Sequence, residues 1–180
     1  MVDGDRLPGD RAGERRAQEQ GRVRDFVDGD FTVQDTTDLS GKFNHGQYVL
    51  SCIAGNKPGV YVGPGYGATY ALGRTEHDGT ETPVELVNWA MGAEWADSLG
   101  ARIISSSLGY NVMDNPSESL TWPMLDGLTT LITRAAQIAA SRGILVVNSA
   151  GNDGSRPFPG HKIAAPADAN GDSVLAVGAV

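Results

Sequence analysis

The chain has 180 residues, 40% of them hydrophobic and 20% charged, the profile of one globular domain that buries about 70% of its unfolded surface. A net charge of −8 excludes the basic footprint that nucleic acid or an anionic membrane surface needs, so neither is an expected partner. The lone cysteine, Cys52, excludes an internal disulfide and a metal site built on several thiolates, and no apolar run reaches the roughly 18 residues of a membrane span.

Residues 1–22, MVDGDRLPGDRAGERRAQEQGR, are polar and glycine-rich and are expected to be poorly structured, with at most a short helix around Ala12–Gln20. They lack the apolar centre of a signal peptide. Val23–Val27 reads as a weak strand, and 28–43 as an acidic, turn-rich stretch. Asn44 is placed to cap a helix in which Tyr48, Val49, Cys52 and Ile53 recur at helical spacing, stopped by Gly55, Asn56 and Pro58. A loop, GVYVGPGYG, feeds a strand over 68–74. Thr82–Pro83 opens a second helix with Val84, Val87, Ala90, Met91 and Trp95 on its apolar face, ended by Gly100. A strand over 101–107 and a long loop over 110–124, anchored by Pro116, Trp122 and Pro123, come next. The strongest helix starts at Asp126 or Thr129 and runs to Arg142, with Leu128, Leu131, Ile132, Ala135, Ile138 and Ala139 on one face, and Gly143 closes it. Apolar strands over 144–149 and 173–180 complete the chain.

Strands alternating with helices predict an α/β fold of three layers, a mainly parallel sheet with helices on both faces. Binding sites in such sheets lie beyond the carboxyl ends of the strands. That rule places Ser105–Gly109 and Ser149–Gly154 side by side at one rim.

Three stretches there invite chemistry, and each also has an ordinary explanation. In HGQYV, His45 is either a capping or surface residue or a general base, and Gly46 beside it, which costs about 1 kcal/mol in a helix against alanine, makes sense where a backbone or substrate must come close. SSSLGY is a strand end with a turn glycine, or an edge at Ser107–Gly109 to which a peptide can add as a strand. SAGNDG is a turn, or a setting in which Asn152 donates to a developing oxyanion.

In this order, HG on a helix, SLG after one strand and SAGN after the next resemble the subtilisin-like serine peptidases, the subtilases, from about Asp25 to Val180. APADANGDSVLAVGAV is similar to the segment that follows the oxyanion asparagine in that family. The resemblance implies a partial subtilase catalytic domain over 23–180, with a peptide or protein as substrate. It implies His45 as general base and Asn152 as oxyanion donor, a role worth about 2.7–4 kcal/mol in a subtilisin. Ser107, Leu108, Gly109, Ala150 and Gly151 would line the pocket for the substrate side chain. The family works mostly outside the cytoplasm, so an extracellular or periplasmic location is expected.

The chain also departs from the pattern. No Gly-Thr-Ser stretch, the family's nucleophile setting, occurs in it, and neither Ser155 nor Ser173 stands in an equivalent place. Asp3 in MVDGD is the candidate triad acid, ahead of Asp5 and of Asp28, which precedes His45 by too short a path. Gln47 replaces the usual threonine after the His-Gly pair. The chain alone is therefore expected to be inactive, as a fragment of a peptidase or, alternatively, as a non-catalytic peptide-binding subtilase-like domain. No cofactor is expected. Calcium, which family members often bind, would have only the acidic loop 25–38, whose spacing reads better as a solvated surface. GPGYG at 63–67 does not make a dinucleotide fingerprint, because its glycines precede a strand. No oligomeric state follows from the sequence.

Overall fold

The computed structural model describes residues 22–33, 45–77, 79–157 and 162–179. It divides into two compact units between Arg74 and Thr75. The α/β class with parallel strands is the one that forms. The expected helix at Ala12–Gln20, the cap Asn44 and the acid Asp3 all lie outside the described residues.

In the first unit, β1 (Val23–Asp25) pairs in parallel with β4 (Leu72–Arg74), so the weak strand at Val23 finds its partner almost fifty residues away. The nearly inaccessible carboxylate of Asp25 meets Arg74 at 2.7 Å, and its Oδ1 accepts from the backbone N–H groups of Val27 and Asp28. Asp28 also meets Arg74 at 2.7 Å. Two carboxylates of the stretch considered for calcium are thus engaged by a guanidinium.

Helix α1 (His45–Ala54) stops where anticipated, with the Gly55 N–H donating to the Ser51 carbonyl. It buries Leu50 and Ala54, whereas Tyr48 and Cys52, placed on the apolar face by their spacing, are exposed. A short hairpin follows, β2 (Asn56–Lys57) with β3 (Tyr61–Val62), in a stretch expected to be loop. Its turn places Pro58 and then Gly59 (φ +81°) between Lys57 and Val60, whose N–H donates back to the Lys57 carbonyl, as a type II turn requires. GPGYG then folds against the end of α1: a Cβ on Gly63 would stand 2.3 Å from the Ile53 carbonyl oxygen. Gly63 and Gly65 serve close packing, whereas nothing stands within 4 Å of a Cβ on Gly67.

In the second unit, β5 (Ile103–Ser106), β6 (Leu145–Ser149) and β7 (Val174–Val177) form a parallel sheet in the order β5-β6-β7. Helices α2 (Pro83–Ser98) and α3 (Leu131–Ser141) pack against each other, and one core gathers Leu86, Trp89, Ile132, Ala136, Val146 and Val174. Each large apolar side chain fully buried there contributes about 1.5–3 kcal/mol. The alternate sheet residues Ile103, Leu175 and Val177 are exposed.

The helix faces differ from those the spacing suggested. On α2 the buried residues are Glu85, Leu86, Asn88, Trp89 and Ala93, while Val84, Val87 and Met91 are exposed. Apolar residues nearly surround this helix, and polar anchoring selects the side. The Trp89 indole donates to Ser106 Oγ at 3.0 Å, and Glu85 accepts the Thr82 N–H at 3.3 Å. On α3, Ile132 and Ala139 are buried as expected, but Leu131 and Ile138 are exposed, as is Leu128, which precedes the helix. That helix begins one residue beyond Thr130, whose hydroxyl accepts the Thr133 N–H at 3.1 Å. The outer sides of α2 and α3 leave an apolar groove lined by Val87, Met91, Leu131 and Ile138, among others.

Candidate functional site

Strands β5 and β6 run in register to Ser106 opposite Asn148, and the chain beyond each opens into the rim that the sequence singles out. Fully buried Asn148 ties the two ends together. Its Nδ2 donates to the Leu108 carbonyl at 2.8 Å and to the Ser149 carbonyl at 2.9 Å. Ser107, Leu108 and Gly109 make no backbone–backbone hydrogen bond among the described residues, so apart from the Leu108 carbonyl that Asn148 holds, their peptide groups form an open edge.

A third segment crosses this rim. Tyr110 and Ala165 exchange backbone hydrogen bonds at 2.9 and 3.3 Å, and the Ala164 N–H donates to the Ala150 carbonyl at 3.3 Å. The Ala164 methyl group fills the space beside two glycines. A Cβ on Gly109 would lie 2.7 Å from it, and one on Gly151 (φ +91°) would lie 3.2 Å from it. Glycine at both positions is a steric requirement.

These segments enclose a cleft of about 270 Å³ lined by residues of the second unit alone. Ser107, Leu108, Gly109, Gly151 and Asn152 all line it. The Asn152 side chain is exposed and takes no hydrogen bond among the described residues. Ala150 is not among the lining residues, because its backbone is consumed in pairing: its N–H donates to the Val177 carbonyl at 2.8 Å and its carbonyl accepts from Ala164. His45 lies in the first unit, exposed, as the first residue of α1. A Cβ on Gly46 would meet nothing within 4 Å, so no close approach explains that glycine.

Ser149 and Asp153, within the rim segment that the sequence singles out, also line the cleft, as do Glu81, Asn111, Val112, Arg156 and Ala164, which sequence reasoning did not name. Only Asp153 and Arg156 carried a signal, opposite charges three apart in the turn after β6, and they pair at 2.7 Å. Asp153 also accepts from Asn111 Nδ2 at 2.7 Å. The Glu81 carboxyl is pushed up to about 7, first by burial and then by Glu85, Glu76 and Asp114. Glu85 is raised too, by burial, partly offset by the Thr82 N–H. The Tyr110 phenol donates to Glu76, and burial beside that carboxylate drives its ionisation far upward. Among the described residues, no group of three or more His, Cys, Asp or Glu is placed to hold a metal ion.

Chemically, the rim offers an unpaired carboxamide donor beside a free strand edge. That combination can pair with an extended peptide and polarise one of its carbonyls. The family model for the subtilase family matches residues 13–180. No curated protein matches the chain. Among solved structures, the epidermin leader peptide processing serine protease EpiP from Staphylococcus aureus is similar at 20% identity and a TM-score of 0.50, over 74% of this chain and 32% of that one. The prenylagaramide maturation protease PagA aligns at 19% identity and 0.47, over 86% and 57% of the two chains. The PatG macrocyclase in complex with peptide aligns at 16% and 0.42, over 93% and 44%. The chain thus spans between 32% and 57% of the length of these structures. Strand-end motifs, an α/β fold and a family match over nearly all of the sequence agree: the chain belongs to the subtilase family of serine peptidases.

Proposed function

We propose that the chain forms part of a serine endopeptidase catalytic domain, and that its peptide substrate lies in the cleft between the ends of β5 and β6. In this reading the Ser107–Gly109 edge pairs with the substrate backbone, and Gly151 forms a wall of the pocket for the side chain preceding the cleaved bond. Asn152 donates to the oxygen of the scissile carbonyl as it gains charge. His45 takes the proton of the nucleophile and Asp3 orients the imidazole, in the family's Asp, His, Ser order. The work is done outside the cytoplasm, on a peptide or protein, without a cofactor. The family's processing protease EpiP, named for acting on a leader peptide, supports that substrate class.

One observation carries the proposal: a strand edge with no backbone partner stands at the same cleft as an exposed carboxamide. A second reading, a non-catalytic peptide-binding subtilase-like domain, is favoured by the lack of any Gly-Thr-Ser stretch in the sequence. Without a nucleophile no acyl-enzyme forms, and this chain by itself holds peptide without cutting it. The test incubates the chain with a blocked peptide and with a fluorophosphonate probe. The peptide is expected to be recovered intact, the serines to remain unlabelled, and the amides of Gly109 and Asn152 to shift saturably in NMR spectra. Stoichiometric labelling would place a nucleophile within these residues and overturn the assignment of inactivity. Saturable shifts confined to residues remote from the cleft would overturn the cleft as the peptide site.

A further inference from the structure

We infer that Asn148 is a positioning residue for the bound peptide: its side-chain amide ends the pairing of β5 with β6 at Ser106 and holds the Ser107–Gly109 edge open. The inference rests on the cleft being a peptide site and adds to it the device that keeps the edge from closing onto its neighbour.

Three observations lead there. First, the ladder stops one bond short. β5 and β6 keep parallel register from Ile103 opposite Leu145 to Ser106 opposite Asn148, and the Leu145 N–H donates to the Arg102 carbonyl. Bonds of a parallel pair recur at every second residue, so the next in line would run from the Leu108 N–H to the Ser149 carbonyl. That bond is missing among the described residues. The Ser149 carbonyl accepts from Asn148 Nδ2 at 2.9 Å instead, and the Leu108 carbonyl accepts from the same nitrogen at 2.8 Å. Second, the amide sits only one way round. Both hydrogens of its NH2 group are matched by a carbonyl, whereas turning it over would set its oxygen against two oxygens. Third, packing does not account for an asparagine here. Asn148 is fully buried, and its Oδ1 has no hydrogen-bond partner among the described residues. An unpaired buried acceptor costs stability, a cost that Val146, buried on the same face of β6, does not carry.

The amide thus occupies the gap where the two strands would otherwise go on pairing. By answering the Ser149 carbonyl it removes the acceptor that would draw Leu108 inward. By holding the Leu108 carbonyl it fixes how far the edge stands off from β6. A peptide adding to an edge already held in place does not have to order that edge as it binds, so the clamp raises affinity without touching the guest. The stability given up at Oδ1 is offset at the rim, in the shape of the binding edge.

The test is NMR spectroscopy of the intact chain, with N-acetylated, C-amidated tetra-alanine as the peptide. In the parent, the Leu108 N–H is expected to exchange with deuterated water about tenfold faster than that of Val147, which lies within the ladder, while both side-chain amide protons of Asn148 exchange slowly. Asn148→Val, confirmed folded by circular dichroism, lets the ladder run on. Its Leu108 N–H is expected to become as protected as that of Val147, and the peptide to bind about tenfold more weakly. A purely structural role would instead lower protection along both strands and leave the affinity of the folded chain unchanged. Asn148→Ala, the second variant, is expected to show the same loss of affinity. Unchanged affinity in a folded variant, or fast exchange of the Asn148 side-chain protons in the parent, overturns the positioning role while leaving the peptide site standing. Failure of both variants to fold makes the amide a stability element and overturns that role too. No saturable binding by the parent overturns the peptide site and the positioning role together.

Discussion

At Gly151 two demands coincide, a φ of +91° and an Ala164 methyl group 3.2 Å from where a Cβ would stand. A side chain there meets left-handed strain and a contact with little room to relax, in the loop that carries Asn152. Gly151→Ala is expected to lower stability by about 1–3 kcal/mol, read from urea unfolding followed by circular dichroism. Gly46 shows the contrast, since nothing stands near its Cβ position and its φ is unremarkable. Residue type alone therefore separated these glycines poorly. The one in SAGN is needed for shape, and the one in HG is not explained by its surroundings. Among polar residues, Asn152 was visible because it follows a buried strand and precedes a turn. Asn111 was not, because its importance comes from Asp153, forty-two positions later.

Among the elements, α3 shows how a helix start is specified. Thr130 is 3% exposed, and its hydroxyl accepts the Thr133 N–H while donating to the Thr133 hydroxyl at 2.6 Å. Thr133 in turn donates to Asp168 at 2.6 Å, which anchors the loop before β7 to the helix. Thr130→Ala is expected to cost about 1–2 kcal/mol, measured as a lowered midpoint in the same unfolding experiment. The strands at Ile103, Leu145 and Val174 were legible because short apolar runs bounded by turns admit few other readings. Helix faces were less so. Valines, alanines and methionine nearly encircle α2, and the bond from Trp89 to Ser106 decides which side turns inward. The β2–β3 hairpin escaped because each of its strands has only two residues, although the Pro58–Gly59 pair was a signal for its turn.

At the scale of the molecule, whose net charge is −8, four carboxylates, Glu76, Glu81, Glu85 and Asp114, crowd the start of α2. Glu81 carries the pH dependence of that crowding. Its carboxyl titrates near 4.5 when unperturbed and at about 7 in the fold, so between those values the folded chain keeps a proton that the unfolded chain has lost. The stability this lends is complete below pH 4.5 and is lost as pH rises through 7. Glu81→Gln removes the dependence. Its melting temperature is expected to exceed that of the parent at pH 8 by about 2–4 °C, a small gap because solvent screens a half-buried group, and the gap should close near pH 4.5. The sequence sets Glu76, Glu81 and Glu85 within ten residues of one another, but Asp114 joins them only when the loop after β5 folds back and its N–H donates to the Glu81 carbonyl at 2.9 Å. The indole of Trp89 offers a last consequence. It sits 4% exposed, on the hydroxyl of the residue just before the cleft edge, while Trp122 is 45% exposed. With Trp95 and Trp122 replaced by phenylalanine, light emitted by that buried ring reports on whether helix and strand still touch, an optical gauge of the rim on which peptides are to be held.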